Sequence, residues 1–169
     1  MIRPILKYGD TGLHQLAQPI SAMTSEIDAL ARDMVETMHA APGVGLAAPQ
    51  LGVPVRLFVI DLSLGHNPRE LIALVNPEFV AREGMQLEDE GCLSLPGFNA
   101  TVARPMRVAV RGLDLSGNEV EVDGKGFLAR ALQHEMDHLD GHIFIERLRR
   151  VRRDLIVRRI RKRIRNGQW

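Results

Sequence analysis

The chain reads as a single α+β domain that ends in a basic helix. Three observations predict this. A helical apolar pattern is followed by short strand-like runs and a hairpin signature, and only then by a second helix, an order that argues against a doubly wound α/β fold. The 169 residues, 45% apolar and 25% charged, suit one core burying roughly two-thirds of the unfolded surface. Charge is divided: Glu146 to Trp169 holds eleven Lys and Arg against two acids, +9, so the net charge of +1 leaves −8 on residues 1–145.

Ile27, Leu30, Met34, Val35 and Met38 recur at helical spacing after Ser25-x-x-Asp28, which has the form of a capping box, and the pattern stops near Pro42. Residues 56–62 (RLFVIDL) and 71–76 (LIALVN) are short, apolar and bounded by Gly, Pro and Asn, as buried strands are. Residues 106–114 alternate, Ser116-Gly117-Asn118 supplies turn chemistry, and Glu119 to Val122 resumes, which predicts a hairpin. Gly124 and Gly126 end it, and Phe127 to Leu139 reads as a helix closed by Gly141 at C′. In the tail, Leu148, Val151 and Leu155 share one helical face and Ile156, Ile160 and Ile164 another, so the final turns are expected to leave the body.

Residues 1–20 hold no apolar run of signal-peptide length, and no segment reaches the roughly 18 apolar residues of a membrane span. A cytoplasmic protein with no membrane partner is expected; a processed organelle enzyme would carry the same features. The tail has the electrostatic character of a polyanion-binding segment. Cys92, the one cysteine, cannot form an internal disulfide and is a small buried hydrophobe, a nucleophile or a metal ligand.

On the predicted helix, His134 and His138 stand at i and i+4, where two imidazoles can hold one metal, with Glu135 between them. HExxH needs that spacing because the metal activates water while the glutamate, outside the coordination sphere, moves its proton. The metzincin form fails because its third histidine position is Phe144, and a gluzincin would need a glutamate on a later helix, whereas the only acids after His138 are Asp140, Glu146 and Asp154, the last two in or beside the basic tail. Upstream, Cys92 lies in Glu90-Gly91-Cys92-Leu93-Ser94, and its thiolate would complete a Cys-His-His set with one open position, the arrangement of a catalytic site. Residues 43–50, GVGLAAPQ, form a small-residue run ending in Gln50, whose amide could donate to an oxyanion. Taken alone, that run is a tight helix-to-strand connection.

The three segments GVGLAAPQ at 43–50, EGCLS at 90–94 and QHEMDHLDG at 133–141 resemble, in order and spacing, the signature motifs of peptide deformylases, from the N terminus to about Arg147. The helical C-terminal extension is similar to that of the bacterial and organellar class. Val44 stands where isoleucine is usual. The resemblance implies small antiparallel or mixed sheets packed around the central HExxH helix, with a catalytic metallohydrolase domain over 1–147 and a basic helical extension over 148–169. It implies hydrolysis of the N-formyl group of N-formylmethionyl nascent peptides with release of formate. Cys92, His134 and His138 are the implied ligands of one divalent metal, ferrous iron natively, with Zn2+, Ni2+ or Co2+ able to substitute. Glu135 is the implied general base, and Gln50 with the Leu93 N–H the oxyanion donors. Val44, Gly45 and Gly91 would line the peptide backbone. Phe127, Arg130 through its aliphatic stem, Ala131 and His134 would line the methionine pocket. Glu90 paired with Arg104 would hold the cysteine loop. The basic tail is expected to dock on the ribosome near the exit tunnel. Two other classes share parts of this pattern: a nucleic-acid-binding module with an incidental HExxH, which needs no metal, and a metallopeptidase, which would cleave unformylated peptide bonds.

Overall fold

The computed structural model describes Met1 to Trp169. Helix α1 (Ser25–Ala40) is followed by β1 (Gly45–Ala47), β2 (Leu57–Ile60), β3 (Ile72–Glu83), β4 (Gln86–Gly91), β5 (Asn99–Arg104), β6 (Arg107–Leu113) and β7 (Glu119–Lys125). Helices α2 (Phe127–Leu139) and α3 (Arg150–Arg165) complete the chain. Strands β1-β2-β3-β6-β7 form one sheet in that order, and β4-β5 pair separately. Every ladder is antiparallel, the one parallel contact being an isolated bridge from Gln18 to Val55.

The larger sheet is covered on both faces. Phe58 and Ile60 of β2 pack with Leu74, Val108 and Val110 onto Ala129, Leu132, Met136 and Leu139 of α2. Leu57 and Val59, pointing the other way, meet Leu30, Met34 and Met38 of α1 together with Leu46 and Val75. This two-sided burial explains why β2 reads as an unbroken apolar run. α1 starts one residue earlier than the capping-box reading implied: Thr24 is the N-cap, its hydroxyl accepting from Ile27 N–H at 3.4 Å, while Glu26 and Asp28 favour the first turn electrostatically.

β3 runs well beyond the expected 71–76. Its register shifts between Val75 and Glu78 and again between Phe79 and Ala81, around Pro77 and the positive-φ Asn76, whose amide ties both backbone groups of Ile20. Strands β1, β4 and β5 were not legible in the sequence. β1 is three residues long, and the only buried residues of β4, Gln86 and Glu90, are polar.

A third cluster joins Leu95, Phe98 and Val102 to Phe144, Ile145 and the fully buried Ile160 of α3. The final turns therefore do not leave the body. Arg163 lies over the Phe98 ring and donates to Pro96 O, and the Trp169 indole donates to Tyr8 O at 2.8 Å. The reason is the second apolar face of the tail: Ile156 and Ile160 turn inward, while Val151 and Leu155 stay exposed.

Candidate metal centre

α2 runs between the two sheets with all residues from Ala129 to Leu139 buried. One side is apolar and packs on the large sheet; the other carries Gln133, His134, Glu135, Asp137 and His138. The helix starts without a side-chain cap. Gln86 instead spans the Pro105 and Gly126 carbonyls, and Gln133 reaches Pro105. It ends at Gly141, φ +79°, where a Cβ would lie 2.8 Å from His14 O, so glycine is required twice over.

The i, i+4 spacing places the Nε2 atoms of His134 and His138 3.2 Å apart, and Cys92 Sγ lies 3.3 Å from His138 Nε2. One ligand atom from each of the three residues lies within 4.8 Å of the others. Two imidazole nitrogens and a sulfur converging at this range are the donor set that a cation between them would take up. Burial and the neighbouring His134 hold His138 well below its ordinary pKa, keeping the neutral form that a ligand requires. Burial lowers His134 too, but Cys92 and Glu90 outweigh it and raise the ring, evidence of a field that favours positive charge at this point. The residues present fit a Cys-His-His metal site.

Behind this centre lies a chain of buried charges. Glu90 Oε1 meets His134 Nδ1 at 2.5 Å, and Glu90 also accepts from Arg104 at 2.8 and 2.5 Å and from Arg130 at 2.7 Å. Burial opposes the Glu90 charge, but the Arg104 and His134 bonds overcome it and hold the carboxyl far below the usual range. Arg104 continues to Asp137 at 3.0 Å, and Asp137 also pairs with Arg147. The expected Glu90–Arg104 pair is thus present and interior. The sequence reading missed Asp137, Arg147 and the ionic half of Arg130, whose guanidinium also donates to Val102 O. For Arg130, between Ala129 and Ala131, the available signal was that an arginine among apolar neighbours needs a buried acid.

A cavity of about 470 Å3 opens onto the centre. Its wall includes Val44, Gly45, Gln50, Gly91, Cys92, Leu93, Phe127, Arg130, Ala131, His134 and Glu135, every expected site residue except His138, which lies behind it. Unforeseen lining comes from Gly43, Asp89, Pro96 and Gly97. Glu135 Oε1 faces Gly45 so closely that a Cβ there would come within 2.2 Å, and Glu135 Oε2 is buried with no partner. Burial lifts the Glu135 pKa to about 7, which suits proton transfer near neutrality. Gln50 is locked by Ala47 N–H on its carbonyl at 2.9 Å, so its amide nitrogen points to Ser94 Oγ at 3.1 Å and Cys92 Sγ at 3.6 Å. The Leu93 N–H has no partner within the chain. Gly45 of β1, the edge strand of the large sheet, and Asp89 to Gly91 of β4, in the two-stranded sheet, both line the cleft.

The other histidines take no part. His142 meets Glu146 at 2.7 Å, His39 meets Asp61 at 2.8 Å, His66 bonds Ser63 O, and His14 lies 3.5 Å from Glu146.

Comparison with known proteins agrees over the whole chain. A peptide deformylase of Acidobacterium capsulatum is 53% identical over 169 residues, covering 100% of this chain and 99% of the relative. The crystal structure of a Legionella pneumophila peptide deformylase superposes with a TM-score of 0.92 at 42% identity, covering 99% and 98% of the two chains. An Acinetobacter baumannii peptide deformylase solved with Met-Ala-Ser bound gives 0.81 at 37% identity, over 88% and 99%. The family described as Polypeptide deformylase matches residues 2–154, and with its Cys-His-His centre and HExxH helix the chain belongs to that family.

Proposed function

We infer that the chain hydrolyses the N-formyl group of formylmethionyl peptides, releasing formate and a free amino terminus. The observation that carries this reading is the buried Glu135 carboxylate, its Oε2 unpartnered, beside the Cys92, His134 and His138 donors on a cavity of about 470 Å3.

Cys92, His134 and His138 would hold one divalent metal, and when bound it supplies Lewis-acid activation of water and of the formyl oxygen. Glu135 takes a proton from the attacking water, whose oxygen adds to the formyl carbon. Gln50 Nε2 and the Leu93 N–H donate to the oxygen that gains charge, each donor contributing about 3–4 kcal/mol to the transition state. Glu135 then delivers its proton to the amine nitrogen as the C–N bond breaks. Gly45 and Gly91 present main chain to an extended substrate from the two sides of the cleft, with Val44 beside them, a mode that tolerates varied second residues. Phe127, Ala131, the Arg130 stem and the His134 ring form the wall against which the methionine side chain packs.

We propose ferrous iron as the native metal, replaceable by Zn2+, Ni2+ or Co2+, since mixed thiolate and imidazole donors accept all four. We assign catalysis to residues 1–147 and treat 148–169 as a basic extension, because every proposed catalytic residue precedes Gly141. We propose a cytoplasmic setting at the ribosome. No helix is long and apolar enough to cross a membrane, and the outward Arg158, Arg161 and Arg165 offer cations to RNA phosphate near the exit tunnel.

The test is formate release from formyl-Met-Ala-Ser by anaerobically purified protein, with metal content measured on the same sample. About one metal per chain and stoichiometric formate are expected. A metal-free protein would favour the nucleic-acid-binding alternative, and cleavage of unformylated Met-Ala-Ser would favour a peptidase.

A further inference from the structure

A second cavity, about 320 Å3, lies between α3 and the loop that follows Cys92. Its lining includes Gly97, Phe98, Asn99, Arg159, Lys162 and Arg163, and Gly97 also lines the active-site cavity, so the two hollows adjoin. Arg159 and Arg163, with Ile156, fall at i, i+3 and i+7 and so share one face of α3. The cations of this groove have no carboxylate of their own: Asp154, the one acid on α3, is met by Arg150 and Arg153. Arg163 is fixed in place by its stacking on Phe98 and its bond to Pro96 O, which leaves Arg159 and Lys162 exposed at the rim. Another part of the active-site lining carries Asp89, of opposite sign.

An extended substrate advances about 3.3 Å per residue, so its fourth and fifth residues lie about 10–13 Å beyond the methionine. That takes them out of the cleft, and a chain leaving past Gly97 enters the groove. We propose that Arg159, Lys162 and Arg163 form an accessory subsite that favours acidic side chains at the fourth and fifth positions of the formylated peptide. The proposal rests on the deformylase reading. In it, α3 is a specificity element, and its groove-facing cations act separately from the outward Arg158 and Arg161, which are exposed and outside the groove.

The experiment compares formyl-Met-Ala-Ser-Glu-Glu with formyl-Met-Ala-Ser-Lys-Lys on the metal-loaded enzyme at low salt. Each rate is referred to that of formyl-Met-Ala-Ser in the same protein. Wild type is expected to favour the acidic peptide by about three- to tenfold in kcat/KM, the range that two or three exposed charge pairs give, with the difference in KM. Arg159→Glu with Lys162→Glu should reverse the preference. Arg158→Glu with Arg161→Glu changes net charge by the same amount and should keep it. No preference in wild type, or equal loss in both double variants, would overturn the subsite and leave at most a long-range field. Absence of formate from all three peptides would instead overturn the deformylase reading on which it stands.

Discussion

The carboxylate of Glu90 lies 2.5 Å from Nδ1 of His134, and this one contact decides which nitrogen of the ring faces Cys92 and His138. Glu90 is itself clamped by Arg104 and Arg130. Orientation of a ligand by its hydrogen-bond partner changes affinity by about 10–100-fold in comparable sites. Glu90→Gln should therefore lower metal affinity by that order, measured by competition with a chromogenic chelator. Arg104→Ala leaves Glu90 and Asp137 buried with too few partners and should destabilise the fold by about 3–5 kcal/mol in denaturant titration. Unchanged stability in that variant would show that the ion chain contributes nothing to folding.

Glu135 stands next to His134 in sequence, yet its carboxylate is directed at Gly45 and away from any protein partner. Glu135→Gln should keep about one metal per chain while kcat falls by about 10²–10⁴, the usual contribution of a positioned general base. A metal-free variant would reassign Glu135 as a ligand.

Much of this was legible in the chain because the chemistry sits on regular elements. A helix fixes the i, i+4 geometry, so His134 and His138 could be placed together from spacing alone, and the β6–β7 hairpin announced itself through Ser116-Gly117-Asn118. β1 was hidden because Gly45, Leu46 and Ala47 are too few to show a period, and β4 because the two residues it buries, Gln86 and Glu90, are polar and give no apolar alternation. The tail was misread for a related reason. Its two apolar stripes compete, and only the surface formed by Leu95, Phe98 and Phe144, distant in sequence, determines that Ile160 is the buried one. Likewise nothing local to Arg147 announces Asp137 as its partner.

Cys92 joins two other donors in a site that accepts several metals, so the anionic character of its side chain should matter more than its sulfur. Cys92→Asp should retain metal with altered activity, whereas Cys92→Ala should lose most of its affinity. Metal analysis after dialysis separates them. Cys92→Ala with the metal content and activity of wild type would remove the thiolate from the coordination sphere.

Asp61 is almost fully buried at the end of β2. Burial works against its charge, but bonds from Ser63 Oγ, His39 and the N–H groups of Gly65 and Ser63 outweigh that and lower its pKa. A carboxyl depressed in the fold contributes stability above its unfolded pKa of about 3.9, and that stability is lost as pH falls through the folded value. Wild type should therefore exceed Asp61→Asn in Tm at pH 5 to 6, and the gap should close below about pH 4. A gap that widens with acid would contradict the sign.

The tail can be tested without removing it, and the packing requires that approach. Deleting residues 154–169 would strip Ile160 from a cluster with Leu95, Phe98 and Ile145 and release the Trp169 bond to Tyr8. Loss of one such isoleucine alone costs about 2–5 kcal/mol, so a truncated protein would confuse docking with unfolding. Charge reversal on the outward face avoids this. Arg158, Arg161 and Arg165 are exposed, recur at i, i+3 and i+7, and make no ion pair with the body. Replacing all three by glutamate should leave Tm and the rate on formyl-Met-Ala-Ser within about twofold of wild type, because the proposed active-site residues lie before Gly141. Co-sedimentation with ribosomes should fall sharply. For wild type it should weaken steeply between about 50 and 200 mM salt as phosphate contacts release counterions, and the triple variant should show a shallower slope in log binding against log salt. Binding of the triple variant equal to wild type at matched salt would mean that the outward arginines serve only to solvate α3, and that the enzyme meets its nascent substrates without this helix.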